Sequence, residues 1–248
     1  MTSPNFSSTV PRQAVVEPAI RIRNLAKTFT LHNQGGAELA VLRNVDLDVA
    51  PGECVALDGP SGMGKSTLLK CIYANYRASS GSLVVRDGNE AFDLTTSNPR
   101  ELIRLRRDTM GYVSQFLRAI PRVPALDIVA EPLLDGVDAT PERLADARRQ
   151  AEALLLRLRI PVRLWSVAPA TFSGGEQQRI NIARGLIRQR PVLLLDEPTA
   201  SLDADNRVTV MAMINEAREA GAAIVGIFHD QRVRENVATR VVDMREFI

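Results

Sequence analysis

"ECVALDGPSGMGKSTLLKCIYANY", residues 53–76, decides the fold. A short apolar run from Cys54 to Leu57 enters a glycine-rich loop, and a segment with Leu68, Leu69 and Ile72 at helical spacing leaves it. That order predicts strand, loop, helix. Gly59, Gly64, Lys65 and Ser66 satisfy the spacing G-x-x-x-x-G-K-[ST], whose glycines let backbone N–H groups curl around a phosphate while the helix N-terminus adds a favourable dipole. Lys65 can reach the β- and γ-phosphates of a nucleotide, and the Ser66 hydroxyl can ligate Mg²⁺. Gly59, Pro60, Ser61, Gly62, Met63, Gly64, Lys65, Ser66 and Thr67 are therefore the expected phosphate cradle.

A second site is expected in "VLLLDEPTASLD", residues 192–203, where an apolar strand delivers Asp196 and Glu197 to a sheet edge. Asp196 is the expected Mg²⁺ carboxylate, acting through water, and Glu197 the general base for the water that attacks the γ-phosphate. "GIFHD" repeats the arrangement and ends on His229, a candidate to contact the γ-phosphate and hold that water in line. Gln115 follows the short apolar strand of "GYVSQF", and its amide oxygen is expected to complete the metal shell.

The rest of the chain is compatible with this reading. Its 31 Lys and Arg against 29 Asp and Glu leave a formal charge of +2, without the basic excess that nucleic-acid binding requires. Cys54 and Cys71 have no metal-binding or redox spacing, which predicts buried free thiols in a reducing compartment. The longest apolar runs fall short of the roughly 20 residues of a bilayer span, so no membrane insertion is expected. Residues 1–18, rich in proline and hydroxyls and lacking an apolar core, read as a mobile tail and not as a signal peptide. A cytoplasmic location follows as an expectation.

The predicted class is α/β. From Ala19 to Val49 short alternating strands indicate an antiparallel β region, and alternating apolar runs and helical patterns after Pro191 indicate a parallel-sheet core. Between them an inserted helical subdomain is expected over about 118–170, with Thr140 and Pro141 opening a helix as N-cap and N1. A single domain over 19–248 results.

"ATFSGGEQQRINIARG", residues 170–185, starts a further helix with Ser173 and Glu176 spaced as a capping box. Its paired glycines weaken the first turn by about 1 kcal/mol each relative to alanine. That cost makes sense where another backbone or a phosphate approaches closely.

"GPSGMGKS", "SQ", "FSGGEQQR", "LLLDEP", "SLD" and "FHD" follow one another in the order of an ABC-type ATPase, and the resemblance covers residues 19–243. In that family two cassettes sandwich ATP head to tail between the phosphate loop of one subunit and the signature loop of the other. The resemblance thus implies that Ser173, Gly174, Gly175 and Glu176 close over a neighbour's ATP. It also implies that Asp203 is an acid at the dimer seam and that Phe29 stacks on adenine. The partner is a second copy or a related ABC subunit. Glu176 and Phe172 depart from the commonest glutamine and leucine of the signature.

The linking stretches "CIYANY", "VSQFLRAIPRVPALDIVAEPLL", "RLWSVAPATFSGGEQQRINIARG" and "GIFHDQRVRENVATR" resemble the PhnL-type ATPases of the carbon-phosphorus lyase system, through which bacteria use phosphonates. This implies an ATPase coupled to soluble lyase core subunits. The alternative is the ATPase subunit of a membrane transporter of lipoprotein-release or macrolide-export type. A third reading, a clamp that dimerises without turnover, has no use for Glu197. "FLRAIPRVPAL", residues 116–126, is the expected docking patch, rimmed by Arg118 and Arg122.

Overall fold

The computed structural model describes residues 17–31, 35–117 and 121–247. The expected tail lies outside them up to residue 16, as does Arg118 of the docking patch.

Two sheets share the work. The first is antiparallel, built from β1 (Ile20–Leu31), β2 (Ala37–Val49), β4 (Ser80–Asp87) and β5 (Glu90–Asp93) in the order β2-β1-β4-β5. The second is parallel, built from β3 (Cys54–Asp58), β6 (Met110–Val113), β7 (Val192–Asp196), β8 (Ala223–Ile227) and β9 (Arg240–Asp243) in the order β6-β7-β8-β3-β9. The predicted α/β class with an antiparallel region is what the chain adopts.

Strands β3, β7 and β8 are almost wholly buried because both sheet faces are covered. Alternation decides which face each residue serves. Val55, Leu57, Val192, Leu194 and Val225 pack towards α1 (Lys65–Ile72) and the antiparallel sheet. Cys54, Ala56, Leu193, Leu195 and Ile224 pack towards a helical layer on the other side. That layer contains α3 (Ala125–Leu134), α4 (Pro141–Arg157), α5 (Gly174–Leu186), α6 (Ala204–Glu219) and α7 (Gln231–Val237). The remaining helix, α2 (Pro99–Asp108), leads into β6.

Local caps set several boundaries. Thr140 accepts from the Arg143 N–H with Pro141 at the first helical position of α4. Asn98 and Glu101 form a reciprocal capping box on α2. Helix α1 is shorter than "KSTLLKCIYANY" promises. It stops at Ile72 because Ala74 takes a positive φ of 57° and the Asn75 N–H returns to the Lys70 carbonyl. Arg106 of α2 then donates to the freed carbonyls of Tyr73 and Ala74, at 3.0 and 2.7 Å.

Cys54 and Cys71 are free and buried, which pushes the Cys54 thiol up to about 12 and Cys71 to about 11. The folded state therefore favours the neutral thiol, and its stability falls as pH rises above the unfolded thiol value of about 8.5. At pH 8 an aromatic disulfide reagent should detect neither thiol in the folded protein and both after denaturation. Rapid reaction of either thiol in the native state would contradict the packing.

Candidate functional site

All the expected catalytic groups sit along one edge of the parallel sheet, just beyond the strands' carboxyl ends. β3 leads into the glycine loop, β7 into Asp196 and Glu197, β6 into Gln115 and β8 into His229.

In the loop, Gly64 holds a positive φ of 77°, and a Cβ there would come within 2.8 Å of the Leu42 side chain. Glycine is required on both counts. Lys65 is buried, and its ammonium donates to the carbonyls of Gly59 and, at 2.9 Å, Pro60. The charge is thereby parked over the loop, at the mouth of the cradle formed by residues 59–67.

Ser66 and Asp196, 130 positions apart in sequence, meet here: the serine hydroxyl donates to Asp196 Oδ1 at 3.1 Å. Tyr112, which sequence reasoning did not single out, donates its hydroxyl to Asp196 Oδ2, also at 3.1 Å. Asp196 is only 4% exposed and has no ion pair among the described residues. Burial pushes its carboxyl above the usual range, with the bonds from Ser66 and Tyr112 pulling it back. A buried carboxylate bonded by two neutral hydroxyls, with no ion pair within 4.0 Å among the described residues, is a fitting ligand for a divalent cation.

Glu197 takes a positive φ of 53°, so the chain leaves β7 by a sharp turn secured by the Glu197 N–H to the Ile227 carbonyl. Its carboxylate is held from two sides. His229 Nε2 lies 2.6 Å from Oε1, and the Gln115 amide nitrogen donates to Oε2 at 3.2 Å. His229 thus engages Glu197 directly, and Gln115 presents its amide nitrogen to the same carboxylate.

Ser173 and Glu176 form the expected capping box of α5, with the Ser173 N–H and hydroxyl donating to Glu176 Oε2 at 2.9 and 2.7 Å. These bonds hold the Glu176 carboxyl below its usual range. The glycines divide in purpose. A Cβ on Gly174 would meet open space, whereas one on Gly175 would lie 2.9 Å from the Ser201 carbonyl of the same chain. Helix α5 also reaches back to the sheet edge: Gln178 donates to the Pro198 carbonyl at 3.1 Å and Asn181 to the Ser114 carbonyl at 2.5 Å. The clue to both was two polar residues three apart on a helix face shared with Ile182 and Gly185.

Asp203 is an N-cap, accepting from the Asn206 N–H at 2.8 Å, which holds its carboxyl low. Its side chain remains 62% exposed, compatible with a seam position. Phe29 stands edge-on to Tyr76 at 5.2 Å, and Lys27 lies over its ring at 4.6 Å. One face of the ring expected to stack on adenine thus already carries a cation. In the docking patch Phe116 is 74% exposed beside a groove of about 580 Å³ whose walls include Tyr73, Arg106, Tyr112 and Asp196.

Alanine at the two glycines should have opposite effects on stability. Gly175→Ala forces the Ser201 backbone to move and should lower the melting temperature; Gly174→Ala should leave it equal or raise it, since alanine favours helix by about 1 kcal/mol. Thermal unfolding of both variants checks this, and equal destabilisation would refute the assignment of the two contacts.

The model of the family described as ABC transporter matches residues 42–200. The Caulobacter vibrioides lipoprotein-releasing system ATP-binding protein LolD 2 is 38% identical over 231 residues, covering 93% of this chain and 96% of that protein. The Brucella abortus macrolide export ATP-binding/permease protein MacB is also 38% identical, over 92% of this chain; here the chain spans about a third (33%) of the relative's length. Among solved structures, a dimeric post-hydrolysis state of the ATP-binding cassette MJ0796 bound to ADP and Pi superposes with a TM-score of 0.80 at 30% identity, covering 90% of this chain and 93% of that one. With this fold, this loop and a family model that matches residues 42–200, the chain belongs to the ABC transporter family as an ATP-binding cassette ATPase.

Proposed function

We propose that the chain hydrolyses ATP in a head-to-tail dimer and passes the resulting opening and closing to a partner bound beside Gln115. The observation that carries this reading is the convergence of Lys65, Ser66, Asp196, Glu197, Gln115 and His229 on one sheet edge. In the same chain Ser173 to Glu176 cap a separate helix that has no phosphate loop of its own.

Ser66 and Asp196 would hold Mg²⁺, which when bound neutralises charge on the phosphate oxygens. Lys65 exchanges its carbonyl partners for phosphate oxygens, at little cost because it is already desolvated and aimed along the loop. Glu197 takes the proton of the attacking water, while His229 and Gln115 restrict its rotation and hold it against the γ-phosphate position. Ser173 and the exposed N-terminus of α5, free of a Cβ at Gly174, offer N–H groups and a helix dipole to the partner cassette's nucleotide. The dimeric MJ0796 cassette supports the pairing.

For the coupled partner, we assign a membrane permease of lipoprotein-release or macrolide-export type, the reading that the LolD and MacB relatives support. The carbon-phosphorus lyase core is a second reading, supported by the likeness of the four linking stretches, three of which line the groove beside Gln115. No helix among the described residues is long and apolar enough to cross a membrane; for either partner we propose that the chain works at the cytoplasmic side.

Glu197→Gln should retain ATP binding, lose at least about a hundredfold in turnover, in line with removal of a general base, and accumulate as an ATP-dependent dimer on size-exclusion chromatography. Turnover at the wild-type rate would sink the base assignment. Ser173→Arg should leave the monomer folded and abolish that dimer. Affinity purification from phosphonate-grown cells decides the partner: an integral membrane permease supports the assignment, and lyase core subunits in its place overturn it.

A further inference from the structure

Tyr112 has no part in the machinery above, yet its hydroxyl touches the centre of it. In the parallel register of β6 on β7, Tyr112 pairs with Leu194. Period-two alternation then places the side chains of Tyr112, Leu194 and Asp196 on one face of the sheet, the face that α1 covers. The two oxygens of Asp196 consequently meet hydroxyls from two different elements: Ser66 of α1 at Oδ1 and Tyr112 of β6 at Oδ2, each at 3.1 Å.

These two donors are not equivalent. Ser66 is itself an expected metal ligand, so its hydroxyl has to turn from Asp196 to the ion. Tyr112 is not among the expected metal ligands. Its ring is also well anchored, tilted 32° against Tyr73 with centroids 5.0 Å apart. Tyr73 is covered in turn by the Arg106 guanidinium at 5.3 Å, and Arg106 is fixed by its bonds to the Tyr73 and Ala74 carbonyls. A carboxylate rotates about its last bond over a broad, shallow range. A donor held rigidly at one oxygen removes that freedom.

We propose that Tyr112 is a positioning residue of the metal site, holding Oδ2 of Asp196 so that Oδ1 keeps facing Ser66 when Mg²⁺ is taken up. The inference rests on the reading of Asp196 as the Mg²⁺ carboxylate. Because Tyr73, Arg106 and Tyr112 also wall the groove beside Phe116, this hydroxyl lies between the partner-facing surface and the metal site.

Tyr112→Phe removes the hydroxyl and keeps the ring stack. Binding of a ribose-labelled fluorescent ATP analogue to the purified full chain is measured in EDTA and across a Mg²⁺ titration, with Asp196→Asn alongside. A hydrogen bond to a charged group is strong enough to change affinity roughly tenfold. The Phe variant should therefore raise the half-saturating Mg²⁺ by about tenfold, with metal-free affinity unchanged within about twofold. Unchanged Mg²⁺ half-saturation overturns the proposal, as does an equal loss with and without the ion, which would mark a merely structural tyrosine. Asp196→Asn should abolish the Mg²⁺ response; if it does so while Tyr112→Phe behaves as wild type, only the Tyr112 inference falls. If Asp196→Asn keeps the response, the reading of Asp196 falls and takes this inference with it.

Discussion

Parallel strands place all their carboxyl ends on one side, and the site of this protein depends on that constraint. The order β6-β7-β8-β3-β9 puts the loop after β3, the acids after β7, the histidine after β8 and Gln115 after β6 along a single edge. Residues separated by more than a hundred positions meet there because four buried strands run side by side. The strands stay in register because both faces are buried, so a slip by one residue would turn every apolar side chain to the wrong layer.

The turn after β7 shows how much the edge demands. Left-handed backbone at a glutamate is unfavourable by about 1 kcal/mol or more. It persists because the Glu197 N–H finds the Ile227 carbonyl and the carboxylate is gripped by His229 and Gln115. Without the turn, Asp196 and Glu197 would point to opposite faces, as successive strand residues do. With it, one acid faces the Ser66 hydroxyl and the other faces His229.

What could be read from the sequence was what is local in it. The phosphate loop, the Asp-Glu pair at a strand end, the caps at Thr140 and Ser173 and the alternation of apolar runs all lie within a few residues of one another, and all appear in the structure. The hairpin of β4 and β5 and the last strand, β9, were not anticipated; their short half-exposed segments carry little periodicity. Tyr112 was invisible because its partner lies 84 positions away and its own surroundings read as an ordinary strand. The orientation of the Gln115 amide and the engagement of His229 with Glu197 are likewise decided by how separate strand ends converge. The early stop of α1 depends on Arg106, more than thirty positions downstream.

Gly175 has a consequence beyond its own helix. With the Ser201 carbonyl packed where its side chain would be, the turn that faces a neighbouring cassette and the loop that follows Glu197 touch without slack. Gln178 and Asn181 bolt the same helix to the loops after β7 and β6. The turn at Gly175 and the loop after Glu197 are thus a single mechanical part. In the two-site assembly proposed above, a change of shape at one pocket would be passed to the other through the protein's own backbone.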